Sequence, residues 1–220
     1  MKGPAQALRI EPRWPAILAV LTLLFLLAAL PDRVRALPVW APFVFGIIQI
    51  VPMAGVTLTG ATERWRRAER IIIVILFGVA GAGTFLNLTH LIDAIVGRSA
   101  EIGGNELLTS SITIWVNNVL SFSLLYWQID RGGPEARANN VNARPDWLFP
   151  QEGVPQQAPA DWRPTFVDYL FLGYSTATAF STTDVMPLTS RAKLLMMLES
   201  AISLVTIVAV VSRAINILGS

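Results

Sequence analysis

WPAILAVLTLLFLLAAL, residues 14–30, contains no Lys, Arg, Asp or Glu. Two more stretches share that property, VWAPFVFGIIQIVPMAGVTL at 39–58 and IIIVILFGVAGAGTFL at 71–86. The whole chain is 53% hydrophobic and 15% charged, against about 25% charged in an ordinary soluble domain. A helix rises about 1.5 Å per residue, so about 20 residues cross a hydrocarbon core roughly 30 Å thick. Membrane strands would alternate apolar and polar positions over about 10 residues, and continuous apolarity argues against them. The expected fold class is all-α, a polytopic transmembrane protein with five or six membrane helices placed in the cell (inner) membrane.

Composition removes several function classes. The chain has no Cys and a single histidine, His90, so disulfides, thiolate chemistry and sites needing two imidazoles are out. A net charge of +2 is too small for a nucleic-acid footprint, and the arginines fall between apolar blocks, where they report topology. GVAGAG has neither the preceding strand nor the spacing of a phosphate loop. Its Gly78, Gly81 and Gly83 are expected to admit a close neighbouring helix. No constellation supports nucleophilic catalysis, a metal cluster or a bound cofactor, so the chain is not expected to be an enzyme.

Four helices are predicted within residues 1–130. The first reads as a retained helix rather than a cleaved signal, because PDR follows it and no small-x-small pattern does. The second carries Pro52 and is expected to kink near it. TERWRRAER, 62–70, holds four arginines and is the strongest cytoplasmic marker. A third helix starts at Ile71 and ends near Gly97; a fourth covers about 107–129, where Asn117 and Asn118 are expected to tie helices together. Residues 131–164 are rich in Pro, Gly, Asn and Gln and read as an exposed hydrophilic loop, anchored at the interface by Trp147, Phe149 and Trp162. The remaining 165–220 divide into a short helix, the turn STTDVMPLTS and a long apolar helix.

That last order of parts resembles the pore module of tetrameric potassium channels: pore helix, filter, inner helix. Thr176 takes the first Thr position of the T-x-x-T-x-G-Y-G-D filter, and Asp184, Pro187 and Thr189 reproduce the D-x-x-P-x-T tail. Ser181, Thr182 and Thr183 stand where Gly-Tyr-Gly belongs, Ala179 replaces the second Thr, and no glycine occurs between Tyr174 and Leu218. A potassium filter uses glycines to aim rings of backbone carbonyls, so potassium selectivity of the usual geometry is not expected. The resemblance implies a re-entrant helix, a homotetramer, and a less selective path for a monovalent cation lined by Thr176, Thr178, Ser181, Thr182 and Thr183, with Asp184 at its mouth. The competing reading is structural: hydroxyls bonded to their own helices and a plain turn at Asp184. The module also resembles the C-terminal part of small bacterial membrane proteins, which implies location and no activity.

Topology and charge pull apart under this resemblance. Six full crossings from a cytoplasmic N-terminus place three basic residues at the start, four in TERWRRAER, four in the long loop and Arg213 inside, leaving Arg33, Arg35, Arg98, Arg191 and Lys193 outside. A segment re-entering from outside inverts most of that bias. Among intramembrane ionisable residues, Glu199 needs a partner, expected from another helix, and an ionised carboxylate at the centre costs at least roughly 2.5–3.5 kcal/mol. His90 and Asp93 share one helix face and suit either a proton relay or an interfacial helix end. The alternatives to a channel are thus a proton- or ion-coupled transporter and a membrane scaffold. The expected partners are the lipid bilayer, further copies of the chain and a cation, with no nucleic acid.

Overall fold

The computed structural model describes residues 10–30, 35, 38–60, 62–96, 104–139, 144–160, 162–178 and 184–218. The fold is all-α in character. Its helices are α1 Trp14–Ala29, α2 Ala41–Leu58, α3 Glu63–Val96, α4 Gly104–Ile129, α5 Pro134–Ala138, α6 Pro150–Gly153, α7 Phe166–Thr178 and α8 Ser190–Leu218. Two short strands, β1 Trp147–Leu148 and β2 Met186–Pro187, pair antiparallel with Trp147 opposite Pro187. Ala41–Leu58 and Leu108–Gly132 are each long and apolar enough to cross a membrane, with mean hydropathy 1.8 and 1.3. Large apolar side chains stand exposed on α1, α2, α3, α7 and α8, among them Phe25, Ile47, Ile75, Phe171 and Met197.

Helix directions follow from side-chain partners. Leu24 of α1 abuts Gly46 of α2, Phe77 of α3 stacks edge-on against Phe122 of α4 at 5.0 Å, and Arg70 donates to the Gly132 carbonyl just beyond α4. The first four helices therefore run up, down, up and down. The beginnings of α1 and α3 and the end of α4 gather at one end of the bundle.

There the chain folds into a polar cap. Arg13 is 2% exposed; it donates to both oxygens of Glu69 at 3.3 and 3.2 Å and to Glu135. Arg137 reaches the carbonyls of Trp127 and Asp130 at 2.6 and 3.1 Å and Glu11 at 3.2 Å, and lies over the Tyr169 ring. Asp130 accepts from the Tyr169 hydroxyl at 2.5 Å and from the Asp146 amide at 2.7 Å. Asp146 in turn accepts from Thr189 at 2.6 Å and from Arg191 Nε at 2.8 Å. The reversal out of α4 uses positive φ at Arg131 (54°), Gly132 (80°) and Gly133 (102°), a region that glycine enters without steric cost.

Several expectations change here. Within 131–164 the expected exposure holds for most of residues 153–160, whereas Trp147 and Phe149 are buried, packed on Tyr126 and Tyr169, because charges around them find partners on the bundle. Helix α3 begins at Glu63, eight residues before Ile71, since RWRRAER is built of helix formers and Glu63 pairs with Arg66 and Arg67 along the helix. Helix α2 continues on both sides of Pro52, which does not overturn the expected kink. Gly78 and Gly81 face open space, and the tight contacts are made by Gly46, Gly55 and Gly173 instead; the side-chain surroundings of Gly83 lie outside the described residues.

Candidate functional site

Helix α7 starts at the cap, where Tyr169 bonds Asp130, and α8 starts there too, where Arg191 bonds Asp146 and the Ile129 carbonyl. The two helices are therefore parallel neighbours. Ser200 of α8 donates to the Thr176 carbonyl at 3.1 Å, so the tip of α7 lies level with Ser200, about 15 Å along α8 at the standard rise. From that tip the chain has to return to β2, which pairs with β1 of the cap. Six peptide steps from Thr178 to Asp184 reach at most about 20 Å, matching the rise of a 13-residue α7. Helix α7 enters the bundle halfway and the chain leaves by the end it came in.

Beside that tip, α4, α7 and α8 enclose a polar seam. Glu199 is fully buried. Its Oε2 accepts from the Tyr126 hydroxyl at 2.6 Å, and its Oε1 has no partner among the described residues. A Cβ placed on Gly173 would come within 3.2 Å of that Oε1 and collide with Ser123 Oγ. Glycine there lets α7 press against α4 and leaves the carboxylate as the wall of a notch. Asn118 donates to the Glu199 carbonyl at 3.1 Å and to Ser203 Oγ at 2.9 Å, fixing α8 against α4. Thr176 Oγ1 is likewise buried without a partner among the described residues, as are Ser110 Oγ and both amide atoms of Asn117 elsewhere on α4. Buried polar atoms are ordinarily satisfied, so the open oxygens of Glu199 and Thr176 mark a place where water or an ion would find ligands.

The sequence-derived candidates separate accordingly. Thr176 and Glu199 come together in the seam. Thr178 bonds the carbonyls of Tyr174 and Ser175 in its own helix, the structural alternative. Asp184 is exposed on the returning segment, and Ser181, Thr182 and Thr183 lie outside the described residues. His90 and Asp93 fall on α3, but their side chains lie outside the described residues. The partner expected for Glu199 on another helix is the neutral Tyr126 of α4, while Arg191 on its own helix is engaged with Asp146. Asn118 ties helices as expected, and Asn117 has no side-chain partner among the described residues. Sequence reasoning passed over Tyr126, Gly173 and Ser203; their only signal was polarity or smallness inside apolar helices.

Glu69, ahead of the apolar stretch of α3, is a buried carboxylate shaped by its surroundings outside the seam. Burial raises its pKa above the ordinary value, and the charge and hydrogen bonds of Arg13 pull the other way. Comparison of the chain with family models, with curated proteins and with solved structures returns no match.

Proposed function

We propose that the chain is a multi-pass membrane protein in which α1, α2, α3, α4 and α8 cross, α7 re-enters, and a monovalent cation passes along the α4–α7–α8 seam. The carrying observation is that α7 and α8 both start at the cap. Non-helical backbone at membrane depth is tolerated where it is buried in protein or lines a water-filled cavity. The tip of α7 lies level with Ser200, beside Glu199 and Thr176 of the seam.

This arrangement also relieves the conflict over topology. The segments before α1, the TERWRRAER connector, the cap and the α8 start carry most of the basic residues, and the other end is left with Arg33, Arg35, Arg98 and Arg213. The positive-inside rule then puts the cap in the cytoplasm. Helix α7 enters from that side, opposite to the orientation that the potassium-channel resemblance implies. Asp184 accordingly belongs to a cytoplasmic mouth.

A coupled carrier is the second reading, favoured by the buried Glu199 of the seam, one of whose oxygens is open among the described residues. Flux in liposomes separates the two. Expected for a channel is cation leak dissipating an imposed potential, reduced at least about tenfold by Glu199→Gln and measurably by Asp184→Asn. Uptake that needs a proton gradient and disappears in Glu199→Gln supports the carrier. Liposomes no more permeable to K⁺, Na⁺ or H⁺ than protein-free ones, with or without a proton gradient, would remove both.

A further inference from the structure

Helix α3 begins beside a cleft of about 420 Å³ lined by Glu63, Arg66, Arg67, Arg70, Gln128 and Glu135, among others. Its charge is unbalanced. Arg66 and Arg67 share the exposed Glu63, Arg70 is spent on a neutral carbonyl, and Glu135 is already engaged by Arg13. Two buried atoms here have no partner among the described residues: Arg66 Nε, a donor, and Oε1 of the 2%-exposed Gln128, an acceptor. Guanidinium forks match phosphate oxygens geometrically, and an open carbonyl oxygen beside them suits a hydroxyl.

We infer that this cleft binds the phosphate of a glycerophospholipid with a hydroxyl-bearing headgroup, an inference that rests on the membrane reading above. The apolar residues just beyond the arginines on α3 favour a lipid over a free anion. Arg67, Ile71 and Ile75 are four apart, as are Arg70 and Val74, so they share faces of α3. Ile71, Val74 and Ile75 are all exposed. A headgroup in the cleft has an apolar track directly beneath it for its acyl chains, at the level where a cytoplasmic leaflet carries its phosphates.

The test titrates detergent-purified protein with phosphatidylglycerol, phosphatidylcholine and inorganic phosphate, reading bound lipid by native mass spectrometry and melting by tryptophan fluorescence. Phosphatidylglycerol is expected to bind and raise the melting temperature, while phosphatidylcholine and inorganic phosphate do neither. In Arg66→Gln/Arg67→Gln its affinity should fall at least about tenfold, with lipid-free melting unchanged. If the double variant does not fold, Arg67→Gln alone, at a 72%-exposed side chain, serves the same comparison. Undiminished phosphatidylglycerol binding in the variant overturns the site, and equal binding of inorganic phosphate overturns the lipid assignment. Protein that stays monodisperse in plain buffer without detergent would sink the membrane reading itself, a separate failure from either.

Discussion

Arg13 holds two buried carboxylates at once, Glu69 and Glu135, from a position that sequence reading assigned only to a basic start. Removing one member of a buried ion cluster strands the rest, at a cost of about 3–5 kcal/mol. Arg13→Met is therefore expected to lower thermal stability in detergent by that order. The loss should also depend on pH in a fixed direction. Burial already sets the folded pKa of Glu69 above its unfolded value, and deleting the cation removes the main opposing pull. The folded state then binds the proton more tightly than the unfolded state, so stability is complete below the ordinary carboxylate range and falls as pH rises through the raised pKa. Melting of Arg13→Met at pH 5 and pH 7.5 checks this: the variant should gain on acidification relative to the parent. An identical deficit at both values would mean that Glu69 does not carry the effect.

At the scale of elements, α7 is the piece whose position decides the functional reading, and two tests address it. Gly173→Ala drives a methyl group into Ser123 and toward Glu199, an overpacking error worth about 1–3 kcal/mol; reduced melting together with altered flux is the expected pair of readouts. The absence of native cysteine makes single-cysteine labelling clean. Val154→Cys in the cap and Asp184→Cys on the return should react with an impermeant reagent from the cytoplasmic side, and Val39→Cys between α1 and α2 from the opposite side. Labelling of positions 154 and 184 from opposite faces would mean that α7 crosses. Most helix positions were legible, because apolar runs such as 14–30 and 192–217 state their own length. The early start of α3 was not, since its arginines suggested a connector although their spacing suits a helix.

Across the whole molecule, legibility declines with distance along the chain. The partners that fold the cap and seam are remote: Arg13 and Glu69 are 56 residues apart, Tyr126 and Glu199 73, Glu11 and Arg137 126. No local pattern announces such pairs. Composition made residues 131–164 look solvated because their charges and amides were counted without those partners, whereas Glu199 drew notice simply by standing in an apolar helix. One contact joins the two regions. Trp147 of the cap lies 4.7 Å from the Tyr126 ring and donates to Met196 at 3.3 Å, while its strand grips the segment returning from α7. Cap and seam are thereby tied to one another: Trp147 touches the ring whose hydroxyl holds Glu199 and belongs to the strand paired with β2, so for the proposed channel gating is to be sought in a signal arriving at the cap rather than in a bending of the helices.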